Sequence, residues 1–345
     1  MEQTPVRAIA SRADWRGPQE AGSSAWRHTL STRDIDELRT VTAELDQPGL
    51  DLRTVDRTRV RLPHIKTKLD AIDEELINGR GFAMLSGLPV DQWSRREAGI
   101  AFWALGCQIG RPVAQNASGF LMDAVTDTGR SLEEPTARGY QTRAKLDFHC
   151  DSADLVVLLC LQPAKTGGAS RIVSAIALHN WLAENEPHHL RTLYEPFFLD
   201  RRGEAPPGEE PYYPQAVFTA ENSRVYTRYV RGFIMSAQRK WPQAASLSSA
   251  QLAALDRLDE LAEDSRFRLD LDFQPGDVQF LYNYSVLHSR TDFEDYPEPE
   301  RRRFLLRFWM DAHRISQRPR AFDSRRQDMA AWAADGGRVI DLSAA

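Results

Sequence analysis

The chain has 345 residues, of which 42% are hydrophobic and 27% are charged, and its formal net charge is −5 at pH 7. These values are typical of a globular protein, and the length fits one large domain with extensions. No half of the chain is strongly basic, which argues against nucleic acid as a partner, and no apolar run approaches the roughly 20 residues that span a bilayer.

The N-terminal third alternates between polar and helical patterns. Residues 1–30 are polar with isolated tryptophans, which predicts an arm with little structure of its own. Residues 34–76 have a helical pattern that is broken near Pro48-Gly49. Residues 81–89 predict a short buried strand, and residues 94–109 predict a helix with Ser94 as its N-cap.

The middle of the chain predicts a cover followed by a buried strand. Residues 114–142 are rich in Gly, Thr, Asp and Ser and predict strand and loop that form a mobile cover. Residues 154–161 are nearly all apolar, which is typical of a strand that is buried on both faces. Residues 175–194 predict a helix that is interrupted near Pro187.

Strands dominate the C-terminal part of the chain, and helices flank them. Together these patterns predict a mainly β fold with a double-sheet jelly-roll core. The segments, in order, are a loop at 200–215, strands at 225–234, 266–273, 277–282 and 303–310, and a helix at 248–264.

Cysteine content and the N-terminus predict a cytoplasmic protein. The three cysteines are too few and too scattered for a disulfide framework, which fits a reducing compartment. The N-terminus lacks a basic segment followed by an apolar one, as a secretory signal would have.

The tripeptide His149-Cys150-Asp151 and the distant His288 carry the chemistry of a metal site. Residues i and i+2 of a strand point to the same face, so His149 and Asp151 can approach one metal, whereas Asp154 points the other way. Two imidazoles and one carboxylate form the facial triad of non-haem Fe(II) oxygenases. The tripeptide alone is weak evidence, since packed or solvated histidines are common.

An anion site is predicted on the strand that contains Arg303 and Arg307. Both arginines fall on one face of that strand, and buried arginines are costly unless an anion is present. A surface face with salt bridges is the alternative. The Ser170 hydroxyl, which follows Gly167-Gly168, could also donate to a carboxylate, although alone this segment is an ordinary turn.

The ordered set of these motifs resembles the taurine dioxygenase/TfdA-type family of Fe(II)- and 2-oxoglutarate-dependent dioxygenases, close to its clavaminate synthase-like group. The resemblance extends from about Gly81 to Met310. Its carriers are the stretch GFAMLSGLP at 81–89, FHCD at 148–151, GGAS at 167–170, LH at 287–288 and RFLLR at 303–307.

The resemblance implies a double-stranded β-helix with His149, Asp151 and His288 as Fe(II) ligands. It also implies that Arg303 and Ser170 hold the distal carboxylate of 2-oxoglutarate, with Arg307 near the substrate or co-substrate. Dioxygen would be the second co-substrate, and the carboxylate ligand Asp151 implies hydroxylation rather than halogenation. The expected organisation is an N-terminal arm with helices at 1–75, the dioxygenase domain at 76–315 and a C-terminal tail at 316–345.

The substrate is expected to be a small polar metabolite, such as a carboxylate or an amino-acid-like molecule. Tyr140, Arg143, Arg228 and Arg307 are the candidate contacts, although a solvated strand face explains such residues equally well. Two other functions stay open, a non-catalytic jelly-roll binding protein and a zinc hydrolase. The second is disfavoured because the chain has no H-E-x-x-H helix. A homo-oligomer is compatible with the sequence.

Overall fold

The structure is a computed structural model that describes residues 7–130, 138–244 and 246–343. Part of the expected cover, residues 131–137, lies outside the described residues. Its α-helices are α1 (Gly17–Ala21), α2 (Thr32–Leu45), α3 (Lys66–Asn78), α4 (Arg95–Ile109), α5 (Ala175–Asn185), α6 (Pro187–Leu193), α7 (Arg231–Lys240), α8 (Ser249–Glu263) and α9 (Asp323–Trp332).

The strands of the described residues are short, and most contribute to two facing sheets. They are β1 (Arg27–Thr29), β2 (Phe82–Ser86), β3 (Gly110–Val113), β4 (Phe120–Val125), β5 (Leu146–His149), β6 (Leu155–Gln162), β7 (Thr166–Gly167), β8 (Ser170–Ser174), β9 (Pro196–Asp200), β10 (Tyr212–Ala216), β11 (Phe218–Glu221), β12 (Arg224–Thr227), β13 (Leu269–Leu271), β14 (Val278–Tyr282), β15 (Val286–Arg290), β16 (Phe293–Glu294), β17 (Phe304–Ala312) and β18 (Arg338–Val339).

Two sheets form the jelly-roll core. The major sheet has the order β1-β2-β14-β6-β17-β4-β18, with β3 also paired to β17, and the minor sheet has the order β13-β8-β15-β5. Apolar side chains of both sheets meet between them, for example Val156 and Leu305 of the major sheet and Ile172 of the minor sheet. This is the double-stranded β-helix that the motifs imply.

Helices cover the outer faces of both sheets. Helices α2, α3 and α4 pack on the major sheet, where Leu306 and Phe308 point outward to meet them. Helices α5, α6 and α8 pack on the minor sheet around Val173 and Leu287. Because alternate residues of a strand face opposite ways, β17 turns Leu306 and Phe308 outward and Arg307 inward. No helix of the described ranges is both long and apolar enough to cross a membrane.

Several local expectations are confirmed. Ser94 caps α4, with its hydroxyl accepting from the Glu97 amide and the Glu97 carboxylate accepting from the Ser94 amide. The interruption at Pro187 separates α5 from α6. The apolar run at 154–161 forms β6, at the centre of the major sheet.

The N-terminal arm, which was expected to have little structure of its own, contains a helix and a strand. Residues 17–21 form α1, and β1 extends the major sheet by pairing in parallel with β2. Trp15 and Trp26 are buried, and both rings contact Phe82. Burial of such large rings orders segments whose own helical or strand preference is weak.

The C-terminal half differs from expectation at two places. The strand expected at 225–234 ends at Thr227, and α7 follows, because Ile234 and Ala237 repeat with helical spacing and are buried. The alternating segment 266–273 pairs only over Leu269–Leu271. The C-terminal tail is ordered where described, and its strand β18 joins the edge of the major sheet beside β4.

Candidate active site

Two histidines face each other across neighbouring strands of the minor sheet. His149 is the last residue of β5, and His288 lies in the middle of β15, directly opposite it in the antiparallel register. Asp151 follows two residues after His149 and therefore returns to the same side. The register of β5 and β15 thus brings together residues that are far apart in the chain.

The three side chains surround a space that fits one cation. The Nε2 atom of His149 lies 3.9 Å from Oδ1 of Asp151, and Nε2 of His288 lies 3.8 Å from Oδ2. One potential ligand atom from each residue lies within 4.8 Å of the others. Ligand atoms about 2.1 Å from one ion are separated by at most about 4 Å, so a small contraction would complete the coordination.

Neighbouring groups orient the triad. The Nδ1 atom of His149 lies 2.8 Å from the Asp147 carbonyl oxygen, so an Nδ1–H donating there leaves Nε2 unprotonated. The indole of Trp309 donates to Oδ2 of Asp151 at 2.8 Å. The Asp151 amide donates to Oδ1 of Asn283 at 3.0 Å. Such contacts hold metal ligands in position and are typical of metal sites.

The electrostatic surroundings favour the protonation states that bind a metal. Burial and the neighbouring His149 lower the pKa of His288 to about 3, so this imidazole is neutral near pH 7. Burial opposes the ionisation of Asp151, but Arg307 and the two imidazoles outweigh it and hold the pKa of Asp151 below its usual value. The site therefore offers a neutral imidazole at His288 and an ionised carboxylate at Asp151, which together with His149 form a ligand set that suits Fe(II).

A cavity beside the triad contains two buried arginines that have no ion-pair partner among the described residues. Arg303 and Arg290 line it together with both histidines. The Nη1 atoms of both guanidiniums have no hydrogen-bond partner in the part of the chain that the structure describes. Burial lowers the pKa of Arg303 to about 10 and, with Arg303 nearby, that of Arg290 to about 9. A bound dianion would satisfy both groups.

Small polar groups complete this cavity. The Ser170 hydroxyl donates to Oε1 of Gln279 at 3.1 Å and lines the cavity. The Ser289 hydroxyl has no hydrogen-bond partner among the described residues. Gly168 has a φ of +72°, and a Cβ there would lie 3.2 Å from Nε of Arg303. A larger residue at 168 would therefore be strained and would crowd the guanidinium.

Arg307 connects this cavity to a larger one. Its Nε donates to Oε1 of Gln115 at 2.6 Å, and its guanidinium lies 4.3 Å from the ring centroid of Tyr140. Arg307 and Tyr140 line both cavities. The larger cavity has a volume of about 380 Å³ and also reaches His149 and Asp151, so a molecule within it lies beside the triad.

Three of the four residues predicted to contact the substrate line the larger cavity. Arg228 is buried and lines the larger cavity, as do Tyr140 and Arg307. Arg143 lines neither cavity, because it pairs with Asp127 at 2.8 Å on an outer loop with a side chain that is 60% exposed. Asp154 is buried and pairs with Arg318. It does not belong to the triad, as its expected position on the other strand face indicated.

Sequence reasoning missed several residues of the site. Arg290 lies two residues after His288, and Trp309 lies two residues after Arg307, so the same strand alternation that selected their neighbours could have found both. Arg138 and Arg325, which line the larger cavity, come from a loop and from α9 and have no such signal.

A jelly roll with a centre of two histidines and one carboxylate beside a buried cationic cavity defines a non-haem iron oxygenase that uses a keto acid. The family model described as "Taurine catabolism dioxygenase TauD, TfdA family" matches residues 50–309, and the chain belongs to this family. It is therefore an Fe(II)- and 2-oxoglutarate-dependent oxygenase of small molecules, and neither a binding protein nor a zinc hydrolase.

Similar proteins share both sequence and fold. The chain is 30% identical over 331 residues to FR-33289 synthase of Streptomyces rubellomurinus, covering 95% of this chain and 97% of that protein. It is 30% identical over 304 residues to the taurine hydroxylase-like protein SAT17 of Stachybotrys chartarum, covering 85% and 77% respectively. Asparagine oxygenase in complex with Fe(II), 3-hydroxyasparagine and succinate superposes with a TM-score of 0.65 at 20% identity, covering 83% and 93% of the two chains.

Proposed function

We propose that His149, Asp151 and His288 bind the Fe(II) ion, and that Arg303 and Ser170 bind the distal carboxylate of 2-oxoglutarate. The observation that carries the proposal is the juxtaposition of the triad with two buried arginines whose Nη1 atoms lack a partner in the described structure. Arg290 is added to the co-substrate site for this reason. When bound, iron and 2-oxoglutarate use dioxygen to hydroxylate a C–H bond and yield succinate and carbon dioxide.

The residues of the chain contribute position and exclusion of water. Trp309 and Asn283 hold Asp151, and the Asp147 carbonyl holds His149. Arg303 offers a planar fork that suits a carboxylate. The ring of Phe293 lies beneath both guanidiniums of the co-substrate site, 5.2 Å from Arg303 and 4.7 Å from Arg290, and gives them an apolar surface on that side.

The substrate enters through the larger cavity and carries an anionic group. Arg228, Arg307 and Tyr140 line this cavity, which supports a carboxylate-bearing or amino-acid-like metabolite as the starting hypothesis. Hydroxyasparagine in the similar asparagine oxygenase supports the amino-acid alternative. We further infer a cytoplasmic location, because the three cysteines are free and buried.

The test is to add Fe(II) and then 2-oxoglutarate without oxygen and to follow the weak visible charge-transfer band of the complex. His149→Ala should abolish the band and succinate formation, whereas His188→Ala, at an exposed position, should preserve both. Normal turnover of 2-oxoglutarate by His149→Ala would contradict the ligand assignment. Tightly bound zinc without a response to 2-oxoglutarate would contradict the co-substrate assignment.

A further inference from the structure

The larger cavity has a marked excess of positive charge. Eight of its described lining residues are Arg or Lys, whereas two are carboxylates. Of these two, Asp151 belongs to the triad, and Asp147 has a side chain that is 75% exposed. Lys145 pairs with Glu263 and Arg231 pairs with Asp256, so the excess beside the triad comes from the remaining arginines, and it favours an anionic substrate.

Arg228 is held toward this cavity without a balancing carboxylate. It is 4% exposed, its Nη1 donates to the Cys150 carbonyl at 2.6 Å and its Nη2 donates to the Ser152 hydroxyl at 2.8 Å. Within the described ranges no carboxylate lies within 4.0 Å of its guanidinium. Burial opposes the charge of Arg228, but Tyr213 and Cys150 favour it and raise its pKa, so a charged guanidinium without a carboxylate partner is available to an anion in the cavity.

Arg325 and Arg138 also line the larger cavity. The Ser152 hydroxyl also lies 3.4 Å from Nε of Arg325, so one hydroxyl accepts from two guanidiniums. Glu204 pairs with both Arg325 and Arg138, and burial lowers the pKa of Arg138. One carboxylate is therefore shared by two arginines.

Asp328, the other carboxylate that Arg325 contacts, also pairs with the buried Arg201. Arg201 has a further partner, Glu209, at 3.5 Å. None of these carboxylates pairs with Arg228. Its guanidinium, which contacts the carbonyl of Cys150 between His149 and Asp151, therefore has no carboxylate partner in the described structure.

This charge distribution disfavours an α-amino acid as the substrate. A carboxylate is the strongest partner for the ammonium group of an amino acid, and the carboxylates of the described lining are Asp147, which faces solvent, and Asp151, which belongs to the metal site. A lone carboxylate has two oxygens and one charge. A phosphoryl group has three terminal oxygens and a charge of about −1.5 to −2 at pH 7, which matches several converging guanidiniums.

We propose that the substrate carries a phosphoryl group, as a phosphonate or a phosphate ester, and that Arg228 and Arg325 bind it in the larger cavity beside the triad. This inference rests on the proposed iron and co-substrate sites, and it assigns a phosphoryl group to the substrate in place of the carboxylate of the starting hypothesis, so that a neighbouring carbon faces the metal site. Tyr140, Phe233 and Trp309 line the same cavity and offer apolar surface for the carbon skeleton.

The test uses four probes that share a propyl group. Propylphosphonate, propyl phosphate, propanesulfonate and butyrate are titrated separately into the anaerobic complex with Fe(II) and 2-oxoglutarate, and the shift of the charge-transfer band gives each Kd. Charged hydrogen bonds of ordinary strength predict that the better phosphoryl probe binds about tenfold to one hundredfold more tightly than butyrate and propanesulfonate. The two phosphoryl probes distinguish a phosphonate from an ester.

Variants localise the effect. Arg228→Gln and Arg325→Gln should each remove most of the preference for phosphoryl probes. Arg228→Lys keeps the charge but loses the planar guanidinium, so its preference should lie between those of Arg228→Gln and the unmodified protein. Arg39→Gln, on the exposed face of α2, is the control. The band formed before any probe is added reports the metal and co-substrate sites, so loss of that band counts against the proposed function alone.

Three results would overturn the phosphoryl assignment. They are equal or tighter binding of butyrate or propanesulfonate, no phosphoryl binding by a complex with a normal band, and an unchanged preference in both glutamine variants. If Arg228→Gln does not form the band, Arg325→Gln and the probe series on the unmodified protein decide the matter.

Discussion

Replacement of Arg303 by Met should separate the function of this buried cation from its effect on stability. The change in pKa from its ordinary value of 12.5 to about 10 corresponds to a cost of about 3 kcal/mol for keeping the folded side chain charged. The unfolded chain binds this proton more tightly, so the full cost is present at pH 7 and disappears only at strongly alkaline pH.

The same guanidinium is expected to be required by the co-substrate. Two charged hydrogen bonds to a carboxylate contribute about 3–5 kcal/mol, so Arg303→Met should weaken 2-oxoglutarate binding about 100-fold to 1000-fold. Without ligand, the variant should be as stable as the unmodified protein or more stable, because the lost contact with the Phe293 ring and the relieved desolvation act in opposite directions.

The assay combines an anaerobic titration with 2-oxoglutarate and thermal unfolding with and without it. At one hundred times its Kd, 2-oxoglutarate should stabilise the unmodified protein by about 2.7 kcal/mol, and it should have no such effect on the variant. Arg301→Met is the control, since Arg301 is exposed in the same segment. A variant that is strongly destabilised and yet binds 2-oxoglutarate normally would refute the reasoning.

Three other changes test the surroundings of the site. Trp309→Phe removes the indole donor to Asp151 and should weaken Fe(II) binding about tenfold in a metal titration; an unchanged affinity would count against that contact. Asp154→Asn leaves Arg318 without its buried partner and should lower the free energy of unfolding by about 3 kcal/mol in urea, with iron binding retained. Burial, partly offset by Arg314, raises the pKa of Asp73 to about 6, so its stabilising contribution is complete below about pH 4 and is lost as the pH rises through 6. The free energy of unfolding of Asp73→Asn, measured relative to that of the unmodified protein, should therefore rise by about 3 kcal/mol from pH 4 to pH 7. The same difference at both pH values would contradict the assignment.

The motifs that the sequence reveals are those that a single strand can encode. Alternation places His149 with Asp151 and Arg303 with Arg307, whatever the strand later packs against. Capping and proline likewise act locally, and the boundaries at Ser94 and Pro187 follow from them. Together with the family resemblance of the ordered motifs, these elements predicted the jelly roll, the class of enzyme and the candidate metal ligands.

Local patterns failed where distant contacts decide the structure. The N-terminal arm is ordered by the burial of Trp15 and Trp26 against Phe82. The segment after Thr227 turns into α7 because its apolar side chains find a core at helical spacing. No short-range sequence pattern indicates that Trp15 and Trp26 pack on Phe82 or that the α7 segment packs on a distant core.

What the sequence by itself determined is the identity of the side chains that do chemistry and the strand faces that carry them. The tertiary structure decided which cations lack a counter-ion. The register of β15 against β5 sets His288 opposite His149, and Arg290 meets Arg303 only when the two sheets close on each other. Arg228 and Arg325, nearly one hundred positions apart, share Ser152 for the same reason. An uncompensated charge is a property of three-dimensional neighbourhoods, because burial and the distance to the next carboxylate are absent from the order of residues.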